Sequence, residues 1–396
     1  MLLHLFRKNR TSGKRMSRRI VTTAAILGLV LGPSLIGAPQ ERDPIKVGAI
    51  FARTGKAMSS NVHLFEAVRY AVKEINENGG VLGRPLKVVE IDNHSSPIKA
   101  KLAARKAVKE NVAAVVGCSW SDHSIAAARV LQEAGIPMIS PDSTSPELTK
   151  IGDYIFRMCY TDPFQGRALA SFARNDLEAE KAGIIQCITS TYSMGLAQSF
   201  KNVFERQGGE IVAQKSYKDR EQDFSSVLQE LKAYDMDVMF IPGHGESGVI
   251  VKKAREMGIT CPMMGGDGWG YKEFFSSGGV WLEEGYYTTY WSPRIDSPRT
   301  EDFVNSYGRN HRINDNAPFA YDAVMLLADA VRRAGSVKGE DIRNALSETE
   351  DFVGVTGGAD FDKYGDPRKP AVIMKISNGK KKFHSLIRPQ EQKPQQ

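Results

Sequence analysis

The sequence predicts an α/β protein of two lobes, each built on a doubly wound parallel sheet. Three observations carry this. Short apolar runs alternate with amphipathic stretches of helical period, and repeated βα units put helices on both faces of a parallel sheet. The alternation runs through residues 45–159 and starts again at 162, so there are two sheets. At 396 residues the chain is long enough for two domains of ordinary size.

In chain order, 45–51 reads as the first strand and 52–60 as a loop. In 61–78, Val62, Phe65, Val68, Val72 and Ile75 recur at helical spacing, with Glu66, Arg69, Lys73 and Glu77 on the other side. Gly79-Gly80 ends that helix. Strand 86–91, helix 97–111 and strand 113–117 follow. Ser119, Ser121 and Asp122 are N-cap residue types ahead of a helix over 125–134. Gly135 stops it, 136–140 is the next strand and 154–159 another. The second run has helices at 162–175, 194–207, 224–234 and 246–257, and strands at 182–188, 210–216, 238–242, 262–266 and 285–291. Helices 299–311, 317–334 and 339–350 come next, then a glycine-rich, strand-like tail. Residues 389–396 read as a disordered end.

Residues 1–19 carry seven Lys and Arg and no acid, 20–31 is apolar, and Ile36-Gly37-Ala38 has the form of a cleavage site. That describes a secretory signal over 1–38, and hence an exported protein. The apolar run is short for a membrane span. All of the formal +7 charge lies in this segment; without it, Lys and Arg equal Asp and Glu. Charge therefore gives no argument for a nucleic-acid partner. Cys118, Cys159, Cys187 and Cys261 match no metal spacing. An exported compartment permits disulfides, but three of the four sit in or beside apolar strands, so bridges and buried thiols both stay open.

Ligands of open α/β sheets sit outside the carboxyl ends of the strands. Two strands there end in hydroxyl-rich loops, one with Ser119, Trp120 and Ser121, the other with Asp142 and Thr144. A helix N-terminus beside them suits an anion; serines that only cap helices are the plainer reading. Tyr192 and Asp267 follow second-lobe strands, and Trp120, Tyr192 and Trp269 are aromatics at strand ends. Apolar walls with a few fixed polar groups make a small-molecule site. Gly243-His-Gly-Glu-Ser-Gly248, with Asp267 beyond it, has the form of a dinucleotide fingerprint. It sits late in the chain, in an exported protein, at a turn where glycines are common, and is discounted. No nucleophile motif, P-loop or metal-ligand spacing of histidines occurs. The chain is read as a binding protein, not an enzyme, with no cofactor and no metal.

Specific motifs then carry a resemblance. They are Ile45-Lys-Val-Gly-Ala, Ala71-Val-Lys-Glu-Ile-Asn-Glu-Asn-Gly-Gly-Val-Leu-Gly, Val116-Gly with its serine loop, Gly135-Ile-Pro-Met-Ile-Ser-Pro and Ser145-Pro-Glu-Leu-Thr. Tyr192-Ser-Met-Gly, Gly265-Gly-Asp-Gly-Trp and Phe361-Asp-Lys-Tyr-Gly-Asp extend them. Over residues 44–388 the chain resembles the type I periplasmic binding proteins of ABC importers, in particular the branched-chain (Leu/Ile/Val) amino-acid binders.

The resemblance implies a three-segment hinge, with crossings near Tyr160, Trp291 and Ala359. Lobe one is then 44–160 plus 291–359, and lobe two 161–290 plus 360–388. By the same resemblance Ser121 and the helix N–H groups bind a ligand carboxylate. The Asp142 carbonyl and Asp267 meet its ammonium, Thr144 touches both groups, and Tyr192 covers the ligand; Ser119, Trp120 and Trp269 complete the expected wall. Two positions depart from the pattern. Gly243 stands where an aromatic is usual, and Trp120 where a smaller residue is. Asp267 is also one methylene shorter than the usual Glu. The resemblance implies a monomer that passes an amino acid, branched-chain or otherwise neutral, to a membrane permease. The alternative on the same fold is a sensor of amides, short peptides or aromatic acids.

Overall fold

The computed structural model describes residues 43–389 apart from residue 296. The expected signal segment and the end of the tail fall outside these. The first sheet is formed by β1 (Ile45–Phe51), β2 (Leu86–Asp92), β3 (Ala114–Gly117), β4 (Met138–Ser140) and β5 (Ile155–Arg157). All are parallel, in the order β2-β1-β3-β4-β5. Helices α1 (Met58–Glu77), α2 (Pro97–Lys109) and α3 (Ser121–Glu133) make the crossovers. The pleat of β1 divides its side chains: Val47, Ala49 and Phe51 join the core under α1, and Ile50 joins the other, with Ala104 and Leu131. Phe51 meets Phe65 of α1 edge-on at 5.3 Å. Full burial of such a ring contributes roughly 1.5–3 kcal/mol.

The second sheet repeats the plan. It contains β6 (Lys181–Cys187), β7 (Glu210–Tyr217), β8 (Val238–Phe240), β9 (Met263–Gly265) and β10 (Gly285–Thr289). Helices α4 (Asp162–Asn175), α5 (Thr191–Arg206), α6 (Ser225–Lys232), α7 (Glu246–Glu256) and α8 (Lys272–Gly278) accompany them. The chain then gives α9 (Thr300–Tyr307), α10 (Ala317–Ala334) and α11 (Gly339–Ser347) to the core of the first sheet, where Tyr307 meets Tyr70 of α1. A short ribbon, β11 (Val353–Gly354) and β12 (Gly357–Gly358), follows.

One expectation needs correction. The second sheet is not wholly parallel: β13 (Ala371–Ser377) and β14 (Lys380–Ile387) are added antiparallel beside β10. The reason is local. Asn378-Gly379, both at positive φ, is a two-residue hairpin turn. A parallel pair would need a crossover helix that these two residues cannot supply.

In each sheet the strand order reverses once, between β1 and β3 and between β6 and β8. These are the switch points where a crevice opens. The loops at the two switch points approach each other. Lys56, after β1, pairs with Asp219, after β7, at 2.5 Å, and Trp120, after β3, stacks on His244, after β8, at 4.1 Å. Among the described residues no helix is long and apolar enough to cross a membrane. The four cysteines are free.

Candidate ligand-binding cleft

The α3 terminus is the simplest part of the cleft. Trp120 holds the N-cap position and makes no side-chain cap bond, so the first-turn N–H groups are not capped by a serine. Ser121 Oγ instead accepts from Ser145 N across the loops at 3.3 Å. The capping interpretation of these serines is thereby set aside. The second loop is held from beneath by Arg157, a fully buried residue at the end of β5. Its guanidinium donates to Asp366 Oδ1 at 2.5 Å, Ser143 O at 2.5 Å, Ser145 O at 2.7 Å and Thr149 Oγ1 at 3.0 Å. Arg157 thus fixes the backbone on both sides of Thr144.

Asp142 lies at the centre, 3% exposed. Its Oδ2 accepts from Ser119 Oγ and from Asn316 Nδ2, each at 2.9 Å, and its Oδ1 has no partner. The Tyr290 hydroxyl meets the Asp142 carbonyl at 2.7 Å and also touches Asp267 Oδ2. A hydroxyl has one proton, so Tyr290 cannot donate to both acceptors at once. Gln165 Nε2 donates to Asp267 Oδ1 and contacts Tyr160 OH at 3.1 Å. Tyr192 OH accepts from Gly268 N at 3.3 Å. The flanking glycines permit this approach: a Cβ on Gly266 would lie 2.3 Å from Tyr192 OH, and one on Gly268 2.4 Å from Gly243 O.

The electrostatics are acidic. Burial pushes Asp142 up to about 7, against its bonds from Asn316 and Ser119 and with the charge of Asp267. Burial pushes Asp162, at the start of α4, up to about 8. It also raises Asp267, opposed by Tyr290, Gln165 and Tyr192. Arg157 is the nearby buried cation, and its donors are already engaged. Desolvation of a carboxylate with no cation beside it is what keeps these groups protonated higher than usual.

Towards the surface, Trp120 is stacked between His123 and His244, with ring centroids at 5.6 and 4.1 Å. Burial lowers both histidines to about 4, helped by the charge of Lys56. Two cavities of about 460 and 560 Å³ open beside this stack, both lined by Lys56, Trp120 and His244.

Of the residues named from sequence, the structure gathers Ser119, Ser121, Asp142, Thr144, Tyr192 and Asp267 in the buried interior between the two sheets, with the half-buried Trp120 at its outer edge. It does not add Trp269. That ring is wholly buried in the core of the second sheet, stacked on Phe274 at 4.3 Å, with Nε1 donating to Ile241 O at 3.0 Å. The 3-10 turn Asp267–Gly270 sends Asp267 one way and Trp269 the other. The space expected at Gly243 is filled as well: a Cβ there would meet Ser247 Oγ at 2.5 Å and Tyr217 OH at 2.7 Å. The ring on that wall belongs to the next residue, His244. Sequence reading missed Gln165, Tyr290 and Asn316, which sit in ordinary helix and strand-end contexts and carry no local motif.

A family model described as periplasmic binding protein matches residues 44–381. The chain belongs to that family. Within the family, it is 28% identical to the Leu/Ile/Val-binding protein homolog 1 of Brucella suis, covering 83% of this chain and 89% of that one. Among solved structures, the leucine binding protein LivK of Thermotoga maritima superposes with a TM-score of 0.83 at 32% identity, over 87% of this chain and 99% of that one. LivJ, a branched-chain amino acid transporter substrate binding protein of Streptococcus pneumoniae solved with isoleucine, superposes with a TM-score of 0.82 at 32% identity, over 88% and 100%. The periplasmic binding protein family is one of solute carriers rather than enzymes, and its two-lobed type I fold is the architecture described above.

Proposed function

We propose that the protein is the extracytoplasmic solute-binding component of an ABC importer, which captures an amino acid, branched-chain or otherwise neutral, and delivers it to a membrane permease. The observation that carries this reading is the separation of two complementary ends within one buried cleft. At one end stand the uncapped N-terminus of α3 and the Ser121 hydroxyl, a seat for a carboxylate. At the other, the Asp142 carbonyl and the Asp267 carboxylate share a single Tyr290 proton. A ligand ammonium brings three protons there and removes the deficit. Charge-assisted hydrogen bonds make both ends strong.

In this reading Thr144 touches both groups and Tyr192 closes over the ligand. The lobes are 44–160 with 291–359 and 161–290 with 360–388, and they move about crossings near Tyr160, Trp291 and Ala359. The protein acts in the periplasm as a monomer. Relatives that carry leucine or isoleucine names, at about a third identity, support the amino-acid class.

The test is a thermal-shift panel on denatured and refolded protein, with mass spectrometry of whatever the denaturation released. A ligand that binds only the folded chain raises its melting temperature. At least one free amino acid is expected to do so, and NAD is not. A panel in which only amides, peptides or aromatic acids act would move the assignment to a sensor on the same fold.

A further inference from the structure

The Asp142 side chain is the feature that an amino-acid backbone site does not use. The backbone carbonyl of Asp142 faces the ammonium seat, and Asp267 supplies the carboxylate there. Asp142 brings a second carboxylate. Its orientation is fixed by two donors on Oδ2, Ser119 from the loop after β3 and Asn316 from the start of α10. Asn316 also reaches Ser60 O at 3.3 Å, which ties it to α1. With Oδ2 pinned, the direction of Oδ1 is set, and no hydrogen bond reaches it. Buried acceptors are ordinarily partnered, and an unpartnered one in a native structure marks a site for something that donates.

The neighbourhood points the same way. The hydroxyl of Tyr271, from the second sheet, approaches both Asp142 and Ser119, so this wall is polar from both lobes. The groups the structure places against the carboxylate, Ser119, Asn316 and Tyr271, are all polar. The acids Asp142, Asp162 and Asp267 also outnumber the buried cations beside them. A zwitterion with an aliphatic side chain would balance Asp267 with its ammonium and leave Asp142 facing methyl groups.

We propose that Asp142 sets the specificity of the cleft: its free carboxylate oxygen takes a nitrogen donor, ammonium or amide, on the side chain of the bound amino acid. The proposal rests on the amino-acid reading above, and replaces its branched-chain or neutral side chain with a nitrogen-bearing one. The preferred ligand carries an N–H group where leucine carries its branch. A site built to hydrogen-bond a polar group rejects the analogue that lacks it far more strongly than an apolar pocket rejects an extra methylene.

Calorimetry on refolded protein tests this with leucine, isoleucine and valine as the aliphatic arm, asparagine and glutamine as the amide arm, and lysine and ornithine as the ammonium arm. The expected result is a member of one nitrogen arm binding at least about tenfold more tightly than every aliphatic. Asp142→Ala should weaken that ligand by about tenfold or more and shift the preference towards the aliphatic arm. Asp142→Asn separates the two sources. It keeps an amide ligand, because the Asn oxygen still accepts, and loses an ammonium ligand, because the charge is gone. Aliphatic amino acids that bind as tightly as the nitrogen-bearing ones would overturn the proposal and leave the amino-acid reading standing. Binding of no amino acid at all would overturn both. The ranking on unaltered protein decides the matter by itself, so poor folding of Asp142→Ala does not shelter the idea.

Discussion

Asp267 shows how much one residue is asked to do. It follows β9, is flanked by two glycines, and carries a buried carboxylate that accepts from Gln165 and Tyr290. If it holds the ligand ammonium, Asp267→Ala leaves that cation unpaired in a closed site. The loss is on the order of 2–5 kcal/mol, or roughly 30- to several-thousand-fold in affinity. The ligand-free melting temperature should barely move, because the change also removes a carboxyl group whose burial is unfavourable. Calorimetry and a melt on the same variant check both halves. Affinity within about threefold of the parent would take Asp267 out of the seat. Arg157 is the opposite case. It touches no proposed ligand group, yet it binds three oxygens of the 143–149 loop and Asp366, far along the chain. Arg157→Met strands those acceptors, and breaking a buried pair this way costs about 3–5 kcal/mol. Urea unfolding should show a stability loss of that size.

Elements, rather than single residues, set the pH response. Loops from the two sheets bring two kinds of displaced titration together. Asp142 and Asp162 are raised by burial to about 7 and about 8, so the folded chain holds protons that the unfolded chain has lost. Their stabilisation is present at low pH and fades as pH rises through those values. His123 and His244, lowered by burial to about 4, work in reverse: the unfolded chain takes up protons below about 6.5, so stability falls as pH drops from there. Between pH 4 and 6.5 the two pairs oppose each other, while above pH 6.5 the aspartates act alone. The ligand-free melting temperature is therefore expected to fall from pH 6.5 to pH 8, and Asp142→Asn should flatten that slope. Tyr271 and Tyr290 face Asp142 and, raised by burial well above the usual phenol range, stay protonated throughout the window; burial raises Asp267 as well. A melting temperature that climbs steadily over pH 6.5–8 contradicts the assignment.

For the whole molecule, the two switch points face each other across the cleft, and the contacts between them are few and polar or aromatic. Lys56 pairs with Asp219, Thr191 N donates to Asp122 Oδ1 at 3.3 Å, and Trp120 stacks on His244. An exposed ion pair contributes about 0–1 kcal/mol, and an aromatic stack about 0.5–1.5 kcal/mol beyond its area. If the lobes open and close across this interface, a ligand that touches both favours the closed form. Small-angle scattering should give a smaller radius of gyration with a saturating amino-acid ligand than without it. Superimposable curves would rule out hinge closure as the capture step.

The alternation of apolar strands and amphipathic helices was enough, by itself, to determine the two sheets and their parallel cores. Burial of a face requires periodicity, and periodicity is written locally: Val62, Phe65, Val68, Val72 and Ile75 can be read without knowing what covers them. The hydroxyl-rich loop around Thr144 and a helix over 125–134 were legible for the same reason, although that helix begins a turn earlier, at Ser121 after Trp120. What lies across the cleft was not. Tyr290 joins Asp142 to Asp267, and Asn316 orients the Asp142 carboxylate from 174 residues away in the chain. Trp269, two residues beyond Asp267, turns into the core because a short 3-10 turn rotates it there. Only the packing of one sheet's loops against the other's decides these pairings, since a side chain's long-range partner leaves no mark on its neighbours in sequence.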